Sequence, residues 1–419
     1  MFELFIFVII ALFILGYVGI ILEHPLKINK SAIALLTATL CWAIYFVSSD
    51  ASLADKMLGF SSHVSDVAQI LFFLMGAMAI VELVDSHGGF SLITDLIRTT
   101  SKRKTLWIIA LIAFFLSSVL DNLTTTILMV SLLRKLVREK EDRYFLCFIV
   151  VVAANAGGAW TPIGDVTTTM LWINGQLTSL AVMKSLFLPS LVSLLVPLVI
   201  YTFQLKGKYP KAEKLENPRQ PGGKLVFCLG VLSLVFVPVF KAITGLPPFM
   251  GILIGLAVLW VVTDLMHHKH EERHFLRVPH IFSKIDTSGV LFFLGILLAV
   301  NTLETVGVLQ AIASWLNSTV QSLPLIATFI GLVSALIDNV PLVAATMGMY
   351  PLAIFPTDHS FWHMIAYAAG TGGSILIIGS AAGVALMGLE KVDFISYLKK
   401  ASLPTLIGYL AGMGVYLLL

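Results

Sequence analysis

The chain has 419 residues, of which 58% are hydrophobic and only 12% charged, and its formal net charge is +3. A soluble domain carries roughly 25% charged residues, so this composition excludes a soluble globular protein and predicts a polytopic protein of the lipid bilayer. The small net charge gives no reason to expect nucleic-acid binding. The three cysteines lie in apolar segments, which is typical of small packing residues and not of a disulfide framework or a zinc site.

Ten apolar segments are long enough to cross a bilayer as helices, for which about 20 residues suffice. The first segment, Met1–Leu22, lacks a basic start and a small-residue cleavage site, so we expect a retained span and not a signal peptide. The predicted spans are 2–22, 31–48, 66–84, 144–174, 180–206, 224–242, 247–266, 287–303, 361–388 and 403–419.

Lysine and arginine are concentrated in a few linkers, which the positive-inside rule places in the cytoplasm. The linker 49–65 and three others are poorer in these residues, as expected on the opposite side. This assignment predicts a multi-pass protein of the inner (cytoplasmic) membrane with both termini outside. The basic linkers include Lys27–Lys30, Arg98–Lys104, Arg134–Arg143, Lys206–Lys224 and His267–Lys284.

Two segments contain an Asp-Asn pair at membrane depth. The segment from Lys104 to Arg134 is basic at both ends, so both ends should be cytoplasmic and the segment should form a re-entrant hairpin at about 105–133. Asp121-Asn122 lies near its middle. Segment 323–355 has the same design from the opposite side, with Asp338-Asn339 at its middle. A carboxylate in hydrocarbon costs roughly 2.5–3.5 kcal/mol, so these acids indicate functional sites.

Two further segments are too long and too interrupted for one continuous helix. Segment 144–174 contains two adjacent glycines and Pro162, which weaken a helix and remove a backbone donor. Segment 361–388 is interrupted in the same way by Gly370, Gly372, Gly373, Gly379 and Gly383. We therefore predict two broken transmembrane helices whose half-helix ends and free carbonyls meet near the bilayer midplane.

The two halves of the chain repeat this order of spans, hairpin and broken helix. Leu71-Phe72-Phe73-Leu74 matches Leu291-Phe292-Phe293-Leu294, and Ala153–Gly158 aligns with Ala368–Gly373. Because the halves start on opposite sides, the predicted fold is an all-α polytopic membrane protein of two inverted repeats, each of five spans. The first repeat comprises residues 1–206 and the second repeat comprises residues 224–419. Residues 207–223 form a cytoplasmic linker between them.

The predicted breaks bring three acids together, Asp121, Asp165 and Asp338. Carboxylate, amide and hydroxyl oxygens suit a hard cation or a proton, while fixed carboxylates would repel an anion. Serine and threonine hydroxyls often bond only helix backbone, and an acid near a span end, such as Glu82, often snorkels to the interface. The remaining candidates are Asn122, Asn155, Asn339, Thr124, Thr161, Ser374 and Ser380, followed by Glu82, Thr125 and Thr167.

These motifs resemble those of the NhaD-type sodium/proton antiporters, within the ion transporter superfamily that also holds arsenite and di- or tricarboxylate carriers. The resemblance rests on Ser117–Thr126 with Asn155–Thr169, and on Ser334–Pro341 with Gly372–Gly383. Carboxylate carriers of the superfamily typically have Ser-Asn-Thr at each hairpin tip, whereas aspartate stands here in place of the serine. The resemblance implies a scaffold, a transport domain with elevator-like motion, and often a homodimer.

We expect one carboxylate cluster to bind H+ and Na+ or Li+ in turn, with Asp121 and Asp165 as the principal Na+ ligands. Burial favours the protonated carboxyl and a bound cation favours the ionised form, so competition alone would enforce exchange. No catalytic residue and no cofactor is expected. An anion carrier for arsenite or a dicarboxylate is the alternative, but the central motifs contain no lysine or arginine.

An intramembrane aspartyl protease would also pair membrane acids, as general acid and base. The nearest pattern is Pro162-Ile163-Gly164-Asp165, in which the glycine expected two positions before Gly164 is absent. A protease also gives no reason for an inverted duplication, so an enzyme is not expected.

Overall fold

A computed structural model of the chain describes residues 2–90, 99–205, 207–209, 220–268 and 275–419. Within these ranges all regular secondary structure is helical, apart from one isolated bridge between Ser101 and Lys208. Nine of the described helices are long and apolar enough to cross a membrane, or ten if one bent pair counts as a span. The prediction of an all-α polytopic membrane protein is therefore confirmed. Most of the linker 207–223 lies outside the described residues, as does Arg98.

The helices are numbered here in chain order. The first half contains α1 Phe2–Ile21, α2 Glu23–Leu26, α3 Lys30–Ser48, α4 Leu53–Ser86, α5 Lys102–Ser117, α6 Asn122–Leu136, α7 Lys140–Ala159, α8 Val166–Ile173 and α9 Ser179–Gln204. The second half contains α10 Gly223–Thr244, α11 Pro248–His267, α12 Val278–Phe282, α13 Thr287–Thr305, α14 Val308–Val320, α15 Leu323–Ser334, α16 Asn339–Met349, α17 Ser360–Gly372, α18 Ala381–Glu390, α19 Phe394–Tyr397 and, after a π-helical turn, α20 Leu403–Leu418.

Four helix pairs are interrupted at the positions that the sequence marks as breaks. The predicted hairpins correspond to α5 with α6 and to α15 with α16, and the predicted broken helices to α7 with α8 and to α17 with α18. Pro162 lies in the break after α7, and Pro341 lies in the first turn of α16, where its missing N–H costs no helical hydrogen bond. The re-entrant course of the hairpins and the inverted orientation of the repeats stay predictions.

The third span begins earlier than predicted. The expected linker 49–65 is helical from Leu53 onward, because α4 extends over 34 residues. The Ser52 hydroxyl accepts a hydrogen bond from the Asp55 backbone N–H (3.2 Å) and donates one to the Asp55 carboxylate (2.7 Å). This pair of hydrogen bonds caps the helix, because a backbone N–H at its start finds an acceptor in the Ser52 side chain. The polar first turns therefore belong to the helix and do not form a linker.

The helices pack as two groups, which we call the framework bundle and the site bundle. The framework bundle consists of α1, α3, α4, α10, α11 and α13, and the site bundle of α5 to α9 with α15 to α18 and α20. The two bundles meet where α13 packs against α16 and where α4 packs against α8. Because all four interrupted pairs lie in the site bundle, the broken backbone is surrounded by protein, as the bilayer core requires.

At one end of the site bundle, Glu390 ties α18 to the neighbouring helices. Its carboxylate, 2% exposed, accepts hydrogen bonds from Arg134 Nε (2.6 Å) and Arg143 Nε (2.9 Å). The Tyr144 hydroxyl donates to the Glu390 backbone carbonyl (3.2 Å). A buried carboxylate that is paired twice is costly to disrupt, because loss of its charge leaves the arginines without their acceptor.

We expect Glu390→Gln to destabilise the protein by about 1–3 kcal/mol, the usual range for loss of a charged hydrogen bond. The measurement is the thermal unfolding midpoint of the purified protein in detergent. Glu141→Gln is the matched control, since Glu141 pairs with Lys400 while 68% exposed, and such surface pairs contribute little. Equal midpoints for the two variants would contradict the structural role of Glu390.

Candidate functional site

The site is built from the N-terminal ends of four half-helices, each of which begins at a capping side chain. Three of the four caps are the predicted acids, and the fourth is Ser380. A capping oxygen satisfies a backbone N–H that has no partner in its own helix, and a carboxylate there also lies at the positive end of the helix dipole. The bonds are Thr124 N to Asp121 Oδ1 (2.7 Å), Thr167 N to Asp165 Oδ1 (3.0 Å), Val340 N to Asp338 Oδ1 (3.2 Å) and Gly383 N to Ser380 Oγ (3.2 Å).

A buried chain of hydrogen bonds connects three of these half-helices, α6, α8 and α18, whereas Asp338 bonds only within the start of α16. Asn122 Nδ2 donates to Asp165 Oδ2 (3.2 Å) and to Asn155 Oδ1 (2.9 Å). Asn155 Nδ2 in turn donates to Ser374 Oγ (2.7 Å) and Ser380 Oγ (2.8 Å). All five side chains are at most 4% exposed. The network therefore joins predicted residues from both halves of the chain and fixes the second oxygen of Asp165.

The other predicted residues surround this network, with one exception. The Thr125 hydroxyl is buried without a hydrogen-bond partner in the described part of the chain, and Thr167 lies beside the Asp165 carboxylate that its backbone N–H caps. Glu82 is not part of the network and pairs with Lys284 (3.5 Å) near the end of α4. Thr161 donates to the Ser118 carbonyl (2.7 Å), and Thr124 Oγ1 donates to Asp121 Oδ2 (2.8 Å).

An open cavity of about 640 Å³ lies between the two bundles and reaches the network. Its inner wall includes two of the acids, Asp165 and Asp338, and the amides Asn122 and Asn339. Asp121 is not part of the wall, and both of its carboxylate oxygens accept hydrogen bonds from Thr124. The mouth of the cavity is formed by Glu23, Lys27, Asn29, Lys30 and Asp286, next to Phe292 and Phe293.

The wall chemistry at the inner end fits a hard monovalent cation. Asp121 and Asp338 are both electrostatic neighbours of Asp165, so the three charges repel one another in the absence of a cation. The described residues contain no group of three His, Cys, Asp or Glu side chains that could hold a metal ion. A cation here would therefore need amide, hydroxyl or backbone oxygens in addition to carboxylates.

Two basic residues line the cavity, and sequence reasoning used them only to infer topology. Lys27 and Lys30 stand at its mouth, and Lys30 Nζ lies 4.4 Å from the centre of the Phe292 ring. No local pattern could have placed them there, because the acids they face are more than ninety positions away along the chain. In the described part of the chain neither lysine forms an ion pair with Asp165 or Asp338.

Asp121 has an unusual backbone conformation, with φ 151° and ψ 166°. This region is occupied almost only by glycine and costs a residue with a side chain roughly 1–3 kcal/mol. The two bonds from Thr124 to the carboxylate oppose that cost. The Asp121 carboxylate therefore helps to hold the backbone at the start of α6 in this conformation.

The two halves of the site are packed by matching contacts. Ser117 Oγ donates to the Ala154 carbonyl (2.6 Å), and Ser334 Oγ donates to the Ala369 carbonyl (3.1 Å). A Cβ on Gly157 would lie 2.1 Å from the Phe114 carbonyl oxygen, and one on Gly372 would lie 2.2 Å from that of Gly331. The sequence alignment of Ala153–Gly158 with Ala368–Gly373 pairs these positions.

We expect Gly157→Ala to destabilise the site bundle, because the added methyl group would meet a backbone carbonyl that side-chain rotation cannot move. Gly414→Ala is the control, since nothing lies within 4 Å of its Cβ position and alanine favours a helix interior by about 1 kcal/mol. The yield of folded protein and its unfolding midpoint are the readouts. The expectation is wrong if Gly157→Ala behaves like Gly414→Ala.

Comparison with known proteins gives one family and several similar relatives. A family described as "Citrate transporter" matches residues 10–364. The chain is 56% identical to "Sodium/proton antiporter 1" of Arabidopsis thaliana over 97% of this chain and 71% of that protein. It is 51% identical to "Sodium/proton antiporter 2" of the same plant over 97% of this chain and 98% of that protein. It is 30% identical to "Na(+)/H(+) antiporter NhaD" of Vibrio cholerae over 98% of this chain and 91% of that protein.

Proposed function

The chain belongs to the NhaD-type Na+/H+ antiporters of the ion transporter superfamily, and we propose that it exchanges Na+ or Li+ for H+ by letting both ions compete for buried aspartates. It is a transporter and not an enzyme. The observation that carries the mechanism is the pair of helix-capping acids, Asp165 and Asp338, on the inner wall of the open cavity.

Each of these acids can do two things at once. One carboxylate oxygen caps a half-helix, and the second oxygen, which in Asp165 also accepts a hydrogen bond from Asn122, retains a lone pair that can bind a cation or a proton. Without a bound ion the neighbouring carboxylates repel one another, and either a proton or Na+ would relieve part of that repulsion. Because the site would hold one ion or the other, exchange would follow from competition alone.

The geometry supports a different pair of principal ligands from the pair that the sequence suggests. Asp165 and Asp338 line the cavity, while Asp121 does not, and both of its carboxylate oxygens accept hydrogen bonds from Thr124. We assign Na+ to Asp165 and Asp338, with oxygens from Asn122, Asn339 and Thr167. In this proposal Asp121 contributes charge and holds the hairpin break.

The orientation and the repeats are part of the same proposal. Lys27 and Lys30 at the cavity mouth support a cytoplasmic opening and both termini outside, because basic residues are retained on the cytoplasmic side. The matched serine and glycine contacts of the two halves support two inverted repeats. An inner-membrane location and a homodimer complete the proposal.

The first experiment uses everted membrane vesicles from a host without its own antiporters, with a pH-gradient dye and added NaCl, LiCl or KCl. Asp165→Asn and Asp338→Ser should abolish dequenching by Na+ and Li+, because both keep a capping side chain and remove the charge. Asp393→Ser is the matched control, since Asp393 caps α19 through Ser396 N on an exposed surface. Full exchange in both site variants would refute the shared-carboxylate mechanism.

Competition between H+ and Na+ for the same aspartates also predicts the direction in which the apparent KM for Na+ changes with pH. Raising the pH removes protons from the aspartates and frees them for Na+, so the apparent KM for Na+ should fall. For one competing proton the change is at most about tenfold per pH unit. Initial exchange rates measured over a range of Na+ concentrations at several neutral to alkaline pH values provide the check. An apparent KM that is independent of pH would mean that the two ions use separate sites.

A carboxylate carrier is the second candidate function. The description of the matched family and the two lysines at the cavity mouth favour it. Uptake of labelled citrate into cells that express the protein separates the two candidates. We expect no more citrate uptake than in cells that carry the empty vector. The inner wall presents carboxylates, which repel an anion, and no lysine or arginine.

A further inference from the structure

A second cavity lies on the opposite side of the site, and nothing in the proposed exchange mechanism uses it. Its volume is about 220 Å³, and we call it the opposite cavity. We propose that it is the other half of the ion path, where Asp66 and Glu304 attract the transported cation. This inference rests on the proposed function, since it assigns the route by which the same ions reach the site from the other face of the membrane.

The two cavities lie along one seam between the bundles. The helices α8, α13 and α16 each line both of them, with N-terminal residues in the open cavity and later residues in the opposite cavity. On each helix the nearest lining residues of the two cavities are one turn apart, which is a rise of about 6 Å. These residue pairs are Val166 and Met170, Phe293 and Leu297, and Val340 and Ala344.

All six of these residues are apolar, so they form a thin septum between two water-accessible spaces. Asp165, the cap of α8, lies directly beside the septum. An ion bound there is therefore about one helical turn from the opposite cavity. A small shift of α8 and α16 against α13 would expose the ion to the opposite cavity and close the open one.

The polar lining of the opposite cavity suits a cation. It contains the carboxylates of Asp66 and Glu304 and the amides of Asn174, Gln176 and Asn301. Among the described residues that line it there is no lysine or arginine. His63 is held by a hydrogen bond between its Nε2 and Thr305 Oγ1 (3.2 Å), which connects α4 to α13 at this level. Acids of one sign in a cleft raise the local cation concentration.

The sequence repeat provides an independent argument for Asp66. Asp66 precedes Leu71-Phe72-Phe73-Leu74 by the same spacing that separates Asp286 from Leu291-Phe292-Phe293-Leu294. Asp286 lines the mouth of the open cavity, and Asp66 lines the opposite cavity. Matching positions of the two halves thus place an acid in each of the two cavities.

The length of helix α4 indicates toward which face of the membrane each cavity lies. The end of this helix is near Lys284, which donates to Ser86 Oγ (2.8 Å) and stands two residues before Asp286, a lining residue of the open cavity. Asp66 is about 30 Å from Ser86 along the helix axis, at a rise of 1.5 Å per residue. The opposite cavity is therefore displaced by most of a membrane thickness from the lysine-bearing mouth.

The first test measures access and does not depend on transport. In a variant without cysteines, a single cysteine replaces Asn301, and cationic and anionic methanethiosulfonates are added from either face of oriented vesicles. The cysteine should react from the face opposite to the one that labels Ala385→Cys, a residue of the open cavity. The cationic reagent should react at least about tenfold faster. Asp66→Asn with Glu304→Gln should bring the two rates close together.

Asp55→Asn is the control for charge, because Asp55 lies on the same helix and is exposed outside the cavity. It should leave the ratio of the two rates unchanged. Reaction of the Asn301→Cys variant from the same face as Ala385→Cys, or from neither face, would overturn the proposal and identify the cavity as a packing void.

The second test uses exchange itself and separates the two proposals. In vesicles of both orientations, Asp66→Asn and Glu304→Gln should raise the apparent KM for Na+ about tenfold on the opposite-cavity face and leave it unchanged on the other. If the wild-type protein shows no exchange, the proposed function fails. If the wild-type protein exchanges ions and neither variant changes the KM on either face, only the path through the opposite cavity is refuted.

Discussion

The structure depends on one constraint, the need to satisfy broken helix backbone inside a membrane. Each interrupted pair leaves backbone N–H groups without a partner in their own helix, and inside a membrane every unsatisfied group costs several kcal/mol. The chain meets this need with side-chain caps, Asp121, Asp165, Asp338 and Ser380. One network of amides and hydroxyls then connects three of the four breaks within the site bundle.

Capping and ion binding are not competing interpretations of these acids. A cap needs one oxygen, and a carboxylate has two, so Asp338 can hold the first turn of α16 and still present a ligand to the cavity. The serine at the fourth position fulfils the structural role without adding a fourth negative charge. In Asp165 the second oxygen is held by Asn122, which gives the carboxylate a fixed direction when its partner changes between a proton and a cation.

The seam between the bundles turns this static arrangement into a candidate pathway. The framework helix α13 passes from one cavity to the other, and the site helices α8 and α16 begin at the capping acids and contribute later residues to the opposite cavity. On each of these helices the nearest lining residues of the two cavities are about one turn apart, which is the thickness of the barrier in the proposed path. The lysines at the open mouth and the acids of the opposite cavity make the two entrances electrostatically different.

The sequence by itself determined the membrane class and most of the spans, and it marked the four interruptions and the polar side chains that cap them. These features are local, because glycine, proline and a capping aspartate act within one turn of the backbone. The start of α4 at Leu53 differs from the linker predicted at 49–65, because the Ser52 cap allows polar turns to join the helix. Only the tertiary structure decided that Asp338 lines the open cavity while Asp121 does not, that Glu82 pairs with Lys284, and that Lys27 and Lys30 line the same cavity. Which face of a half-helix meets water depends on helices that are distant in the chain, and no local pattern records that packing.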